Sequence, residues 1–230
     1  MSKKERQNRI SVISAENISS TMVETVIDEV MRVEKEAWPE EVQATRDKFE
    51  SRLNIFPKGF LLAEVQGFGI MGVSTSEIIN FDSDKPPPSW EEITDNGYIR
   101  STHKKDGDAL YVVSVGVSRR VEQLGIKGVG TALVNAQQYL ASTLGLNYVV
   151  LGARISGYGK YFESHPETRV EDYLELKRED GETLDPEIRF YERNGFKISK
   201  IVPNYMEDDP ESRNYGAVMV WENGAKTNGK

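Results

Sequence analysis

Leu110-Tyr-Val-Val-Ser-Val-Gly-Val117, then Arg119-Arg-Val-Glu-Gln-Leu-Gly-Ile-Lys-Gly-Val-Gly130, is the stretch whose reading decides the fold. The first run is apolar and β-branched, which marks a buried strand. Val129, Leu133, Ala136, Leu140 and Leu144 then recur near a 3.6-residue period, which marks a helix. The glycines fall where that helix begins. A helix start carries N–H groups without intrahelical partners and the positive end of the dipole, so it suits an anion. Gly128 and Gly130 admit the anion to the main chain without meeting a Cβ, and Arg119, Arg120 and Lys127 add positive charge. The expected ligand is a phosphate or pyrophosphate. Two nucleotide motifs are excluded by spacing: the loop reads G-x-x-G-x-G where a dinucleotide fold needs G-x-G-x-x-G, and Gly130-Thr131-Ala132 lacks the lysine of a P-loop.

Composition narrows the classes further. The chain has 230 residues and a net charge of -8, which argues against a nucleic-acid partner and is compatible with a cationic acceptor. The absence of cysteine excludes disulfides, thiolate zinc sites and a cysteine nucleophile, and His103 and His165 alone do not build a histidine-rich metal site, so no metal is expected. No run approaches a membrane span, and Met1-Ser-Lys-Lys-Glu-Arg lacks the apolar segment of a secretory signal. A cytoplasmic protein without a membrane partner is expected; a homodimer is left open.

Outward from the central stretch, residues 9–14 read as a first strand. Met22, Val26, Val30 and Val33 lie on one face of a helix that Ser19 or Ser20 can cap and Pro39 ends. Residues 40–53 read as a second helix, 60–66 and 68–79 as a hairpin, 148–155 as a central strand, and 196–202 and 217–221 as the last strands. The connection 82–107, with its proline run and Trp90, reads as an ordered flap, and 156–183 as an insertion over the acceptor side. Asp185-Pro186 starts a helix that Gly195 stops. The tail 224–230 reads as mobile.

That last helix carries a second motif, Phe190-Tyr-Glu-Arg-Asn-Gly-Phe196. Together the two motifs resemble those of the GCN5-related N-acetyltransferases (GNATs): Gly128-Val-Gly130 matches the glycine pair of the pyrophosphate loop, and the second matches F-Y-x-x-x-G-F. Gly125 stands where the family has Gln or Arg, the loop is longer than usual, and Gln123 is expected to fill the missing role. Segments from Trp38 to Asn223, among them Ser89-Trp-Glu-Glu-Ile-Thr-Asp-Asn-Gly-Tyr-Ile99 and Gly152-Ala-Arg-Ile-Ser-Gly-Tyr158, are similar to an acetyltransferase-like domain that precedes a nitrilase-type carbon–nitrogen hydrolase in some bacterial fusion proteins.

The resemblance implies an α/β GNAT fold, with a central, mostly antiparallel, twisted sheet of about seven strands whose two middle strands splay, in a single domain 1–223 with insertions at 82–107 and 156–183. It implies acetyl-coenzyme A as cofactor, its arm along Val115, Gly116 and Val117 and its pyrophosphate on Gln123, Leu124, Gly125, Ile126, Lys127, Gly128, Val129, Gly130 and Thr131, with Phe190 alongside. Gly116 serves a bulge or the arm's close approach, or else relieves crowding in the strand. Tyr191 is the expected catalytic donor to the sulfur, and Ser114, Arg154 and Tyr158 the acceptor-binding residues, with pairing to a neighbouring acid the alternative for Arg154. The cofactor strand has no acid between Leu110 and Val117, which leaves Glu91, Glu92 or His165, reached through water, as candidates for the base. The expected activity is acetyl transfer to a small amine by direct attack in a ternary complex. A non-catalytic coenzyme A-binding module beside a carbon–nitrogen hydrolase, and a protein lysine acetyltransferase, are the alternatives.

Overall fold

The computed structural model describes residues 9–224, so of the tail only Gly224 falls within the described residues. Seven strands form one sheet: β1 Ile10–Ser14, β2 Phe60–Val65, β3 Gly69–Ile79, β4 Ala109–Val117, β5 Tyr148–Arg154, β6 Lys197–Val202 and β7 Gly216–Glu222, in the order β1-β2-β3-β4-β5-β7-β6. Only β4 and β5 run parallel; their neighbours are antiparallel, as the GNAT fold requires. The α-helices among the described residues are α1 Val23–Ala37, α2 Arg46–Ile55, α3 Trp90–Thr94, α4 Arg120–Gln123, α5 Val129–Thr143, α6 Tyr158–Ser164, α7 Val170–Glu175 and α8 Pro186–Arg193. None is long and apolar enough to cross a membrane.

The alternation of side chains along β2 sets the layers. Phe60 and Leu62 pack with Val26, Val30 and Val33 of α1 and Phe49 of α2, whereas Leu61, Ala63 and Val65 pack with Val129 and Leu133 of α5. Successive residues of a strand point to opposite faces, so α1 and α2 cover one face and α5 the other. α8 lies beside α5: Gln138 Nε2 donates to the carbonyl of Asn194 at 2.8 Å, and a Cβ on Gly130 would touch the ring of Phe190.

Several expectations need correction. The second helix is not continuous from 40 to 53. Residues 40–42 make a single 3₁₀ turn and α2 starts at Arg46, because Pro39 holds Trp38 extended and the amide of Ala44 donates to Glu34 Oε1 at 2.7 Å. The buried face of α5 is Val129, Leu133, Val134, Gln137 and Ala141, so Ala136, Leu140 and Leu144 only flank it. Gly116 is not at a bulge: it pairs regularly with Val73, while the extra residue on β4 is Val113, between the pairs Ser114↔Thr75 and Val112↔Ser76. A Cβ on Gly116 would sit 3.3 Å from the Trp38 indole nitrogen and 3.4 Å from Ala37, so this glycine relieves crowding under α1.

Candidate active site

β4 and β5 pair from Ala109↔Tyr148 to Val112↔Leu151 and then part. The bulge at Val113 falls where they separate, and a bulge bends and twists its strand away from its neighbour. The connection 82–107 folds over this point. The Trp90 indole donates to the Val113 carbonyl at 3.0 Å and its backbone amide to Tyr205 at 2.7 Å.

A cavity of about 240 Å³ occupies the gap. Its walls include Glu34, Trp38 and Arg52 from the α1/α2 face and Glu187 and Tyr191 of α8 from the other face, so it passes through the sheet. Ser114 and Val115 line it where β4 is open. Its cover comes from residues 41–44, Trp90, Glu91, Asn96 and residues 206–208. The insertion 156–183 contributes nothing to its lining, contrary to expectation. That insertion is tied to α8 instead, since buried Asp185 caps α8 through the amides of Glu187 and Ile188 and also accepts from the amide of Gly157.

At the end of β4 the chain makes α4 and enters α5 through Gly128, whose φ of 88° is left-handed and open to glycine at no steric cost. The amides of Leu124, Gly125 and Ile126 are used inside the loop. Those of Lys127, Gly128, Val129, Gly130 and Thr131 make no hydrogen bond among the described residues. Ile126 and Val129 are buried and anchor the loop, while Gln123, Leu124, Gly125, Lys127, Gly128 and Thr131 face solvent. This cradle of free N–H groups, two glycines and no acidic side chain fits a pyrophosphate, and the gap beside it fits an extended arm. Val117 packs under Gly130 beside Phe190.

Tyr191 is buried, and its hydroxyl has no hydrogen-bond partner among the described residues although it borders the cavity. Burial, and then the charge of Glu187 one turn earlier, raises its pKa and keeps the proton in place. Glu187 itself is pushed up to about 8 by burial, against the pull of Arg154, whose backbone amide it accepts at 3.1 Å.

The acceptor side differs from the sequence reading at Tyr158, Glu92 and His165. Tyr158 does not reach the cavity: it is buried against Phe162, Tyr173 and Tyr215, its hydroxyl donating to Thr168. Arg154 lines the cavity but is held by Asp209, Nε to Oδ2 at 2.8 Å, and by Glu211 at 2.8 Å, the alternative left open for it. Of the candidate bases, Glu92 is exposed outside the cavity and His165 stacks on Tyr161 away from it, whereas Glu91 lies at the rim and accepts the amide of Glu207. Ser114 does line the cavity, bonded to Thr75 Oγ1 at 2.9 Å and to Arg52 Nη1 at 3.3 Å.

Of the carboxylates that line the cavity, Glu34 is the one with a buried oxygen left without a partner among the described residues. It is 2% exposed, its Oε2 has no partner, and burial raises its pKa against the Ala44 amide, Arg52 and Lys48. A signal for it was present in the sequence: Glu34 sits among Val26, Ile27, Val30 and Val33 on the apolar face of α1, a position at which an unpaired acid is costly. Arg52, buried in the same wall, and the half-buried Trp38, whose indole nitrogen is covered, gave no such signal.

The parted parallel strands beside a helix start with free amides are the arrangement expected of the GNAT class. No family model matches the chain. It is 34% identical to the uncharacterized N-acetyltransferase YkwB of Bacillus subtilis over 94% of this chain and 91% of that protein, and therefore belongs to the GCN5-related N-acetyltransferase superfamily. It is also 34% identical to the probable hydrolase YhcX of the same organism, over 86% of this chain but 37% of that protein. Among solved structures it is similar in fold to the loading GNATL domain of CurA from Lyngbya majuscula, with a TM-score of 0.76, 19% identity and coverage of 94% and 98%. Family membership brings acyl-coenzyme A as the cofactor and N-acetyl transfer as the class of reaction.

Proposed function

We propose that this chain transfers acetyl from acetyl-coenzyme A to a small amine by direct attack in a ternary complex. One observation carries the reading: a single cavity through the parted strands is lined by Tyr191 on one face of the sheet and on the other by Glu34, whose Oε2 has no partner. Bound acetyl-coenzyme A would supply the activated acyl group.

The chain's own residues do the rest. The loop amides from Lys127 to Thr131 hold the pyrophosphate and so set the depth of the arm. Glu34 Oε2 receives the amine and takes its proton, and the raised pKa brings its basicity closer to that of the amine. Tyr191 donates its hydroxyl hydrogen bond to the departing sulfur. Closure by residues 41–44 and 206–208 excludes water from these groups.

Three features weigh on the alternatives. An acid in the cavity removes the motive for a non-catalytic module. The cover over the cavity from residues 41–44, Trp90 and residues 206–208 supports a small acceptor over a peptide, which needs an open groove. The match to only 37% of YhcX leaves work beside a hydrolase as a second role, not a replacement.

The test is steady-state acetyl transfer over a panel of small amines with wild type and Glu34→Gln. Loss of roughly 10²- to 10⁴-fold in kcat/KM for the variant, with coenzyme A affinity unchanged, is the expected result. Coenzyme A binding with no turnover of any amine would overturn the transferase reading.

A further inference from the structure

Among the described residues, six keep a buried side-chain nitrogen or oxygen with no hydrogen-bond partner, and three of these, Glu34, Trp38 and Arg52, line the same cavity. Native structures leave few such groups, and a cluster of them in one chamber points to a ligand that completes the bonds. The three are not alike: Glu34 Oε2 accepts, whereas Trp38 Nε1 and Arg52 Nη2 donate.

Arg52 is the most demanding of them. It is 1% exposed, and its Nε donates to the Gly97 carbonyl at 2.6 Å while Nη1 donates to Thr75 Oγ1 at 3.2 Å and Ser114 Oγ at 3.3 Å. All three acceptors are neutral. No carboxylate among the described residues lies within ion-pair distance of it. A buried guanidinium is stable only when its charge is compensated; here the bonds through Nε and Nη1 fix the fork in place, and the carboxylates of Glu34 and Glu77 attract it only from beyond ion-pair distance. A carboxylate in direct contact with Nη2 is what a ligand can bring.

We propose that Arg52 is the receptor for a carboxylate, and that the carboxylate belongs to the acceptor: an amino acid whose amine reaches Glu34 while its carboxylate pairs with Arg52. The charges then close in pairs. A plain amine would satisfy Glu34 and leave Arg52 bare; a plain acid would do the reverse. The spacing agrees, since Arg52 contacts Ser114 and Glu34 lies by Gly116, 3.6 Å from where its Cβ would be. A two-residue step along a strand is about 6.6 Å, which a short amino carboxylate bridges with a hydrogen bond at each end.

The identity of the amine partner rests on the transferase reading; the carboxylate receptor does not. The experiment therefore has separate arms. With wild type and acetyl-coenzyme A, kcat/KM is compared between amino acids and the same amines lacking the carboxylate, for example phenylalanine and phenethylamine. A preference of roughly 10- to 100-fold for the amino acid is expected. Arg52→Lys and Arg52→Gln should raise KM for the amino acid with little change for the amine, a split that a general structural defect would not produce. If those variants fail to fold, inhibition of wild type by 3-phenylpropionate but not by its amide serves the same purpose.

Preference for succinyl-coenzyme A over acetyl-coenzyme A, with no preference among acceptors, would keep Arg52 as receptor and overturn the assignment to the acceptor. Equal use of amines and amino acids, no inhibition by the acid and no succinyl preference would overturn the receptor while leaving the transferase intact. No turnover of any amine, with 3-phenylpropionate still bound by calorimetry, would sink the transferase reading and spare the receptor.

Discussion

Two buried arginines border the same cavity and are treated in opposite ways. Arg154, 7% exposed at the end of β5, meets the carboxylates of Asp209 and Glu211 from the loop before β7. Arg52, 1% exposed on α2, meets a carbonyl and two hydroxyls. The chain closes the first charge with its own acids and so fastens one wall. It leaves the second without an ion pair, in a wall whose carboxylate and indole are likewise incomplete. The contrast teaches that burial alone does not separate framework from site; the presence or absence of an internal partner does.

The comparison can be broken first at its closed end. Asp209→Ala leaves Arg154 buried with the exposed Glu211 and the attraction of Glu187, and breaking a buried pair in this way costs about 3–5 kcal/mol. Urea unfolding should show that loss, and a change under 1 kcal/mol would mean that Arg154 is no more closed than Arg52. Next comes the open hydroxyl: Tyr191→Phe removes a group with no structural partner, so kcat should fall by roughly 10²-fold while the midpoint of unfolding stays put. Smaller again is the open amide cradle. Gly128→Ala meets no neighbour closer than 4.0 Å but forces a left-handed alanine, a cost of about 1–2 kcal/mol that calorimetry should register as weaker coenzyme A binding.

A pH-dependent effect concerns Glu77, a buried acid that the cavity does not reach and whose pKa burial pushes up to about 8. Its folded pKa lies above the unfolded value of about 4.3, so the folded state binds the extra proton and stability is lost as pH rises from there through 8. Glu77→Gln should flatten that slope in urea midpoints measured between pH 5 and 8. The flattening is partial, because Glu187 and Glu34 are raised in the same direction. An unchanged slope would show that Glu77 carries no unusual proton.

Much of the frame was legible because its causes are local. β-branched runs, a 3.6-residue period and glycines at a helix start act within a few residues, and they placed β4, the loop and α5 and put Tyr191 on a helix ended by Gly195. The acceptor wall was not legible for the opposite reason. Glu34, Arg52 and Gly97 are far apart in the chain, and Arg52 reads in sequence like any helical arginine until Gly97 and Ser114 fold against it. Tyr158 failed as a site residue because aromatic side chains find partners by packing, and its partners come from α6, α7 and the approach to β7.

The sequence by itself determined the strand-to-helix turn with its unbonded amides and the motif helix behind it, since backbone geometry at glycine and the helix start depends on no distant residue. Only the tertiary structure decided which polar side chains stay incomplete around the gap between β4 and β5. Whether a buried group has a partner is settled by which segments pack against it, and no stretch of sequence states that alone.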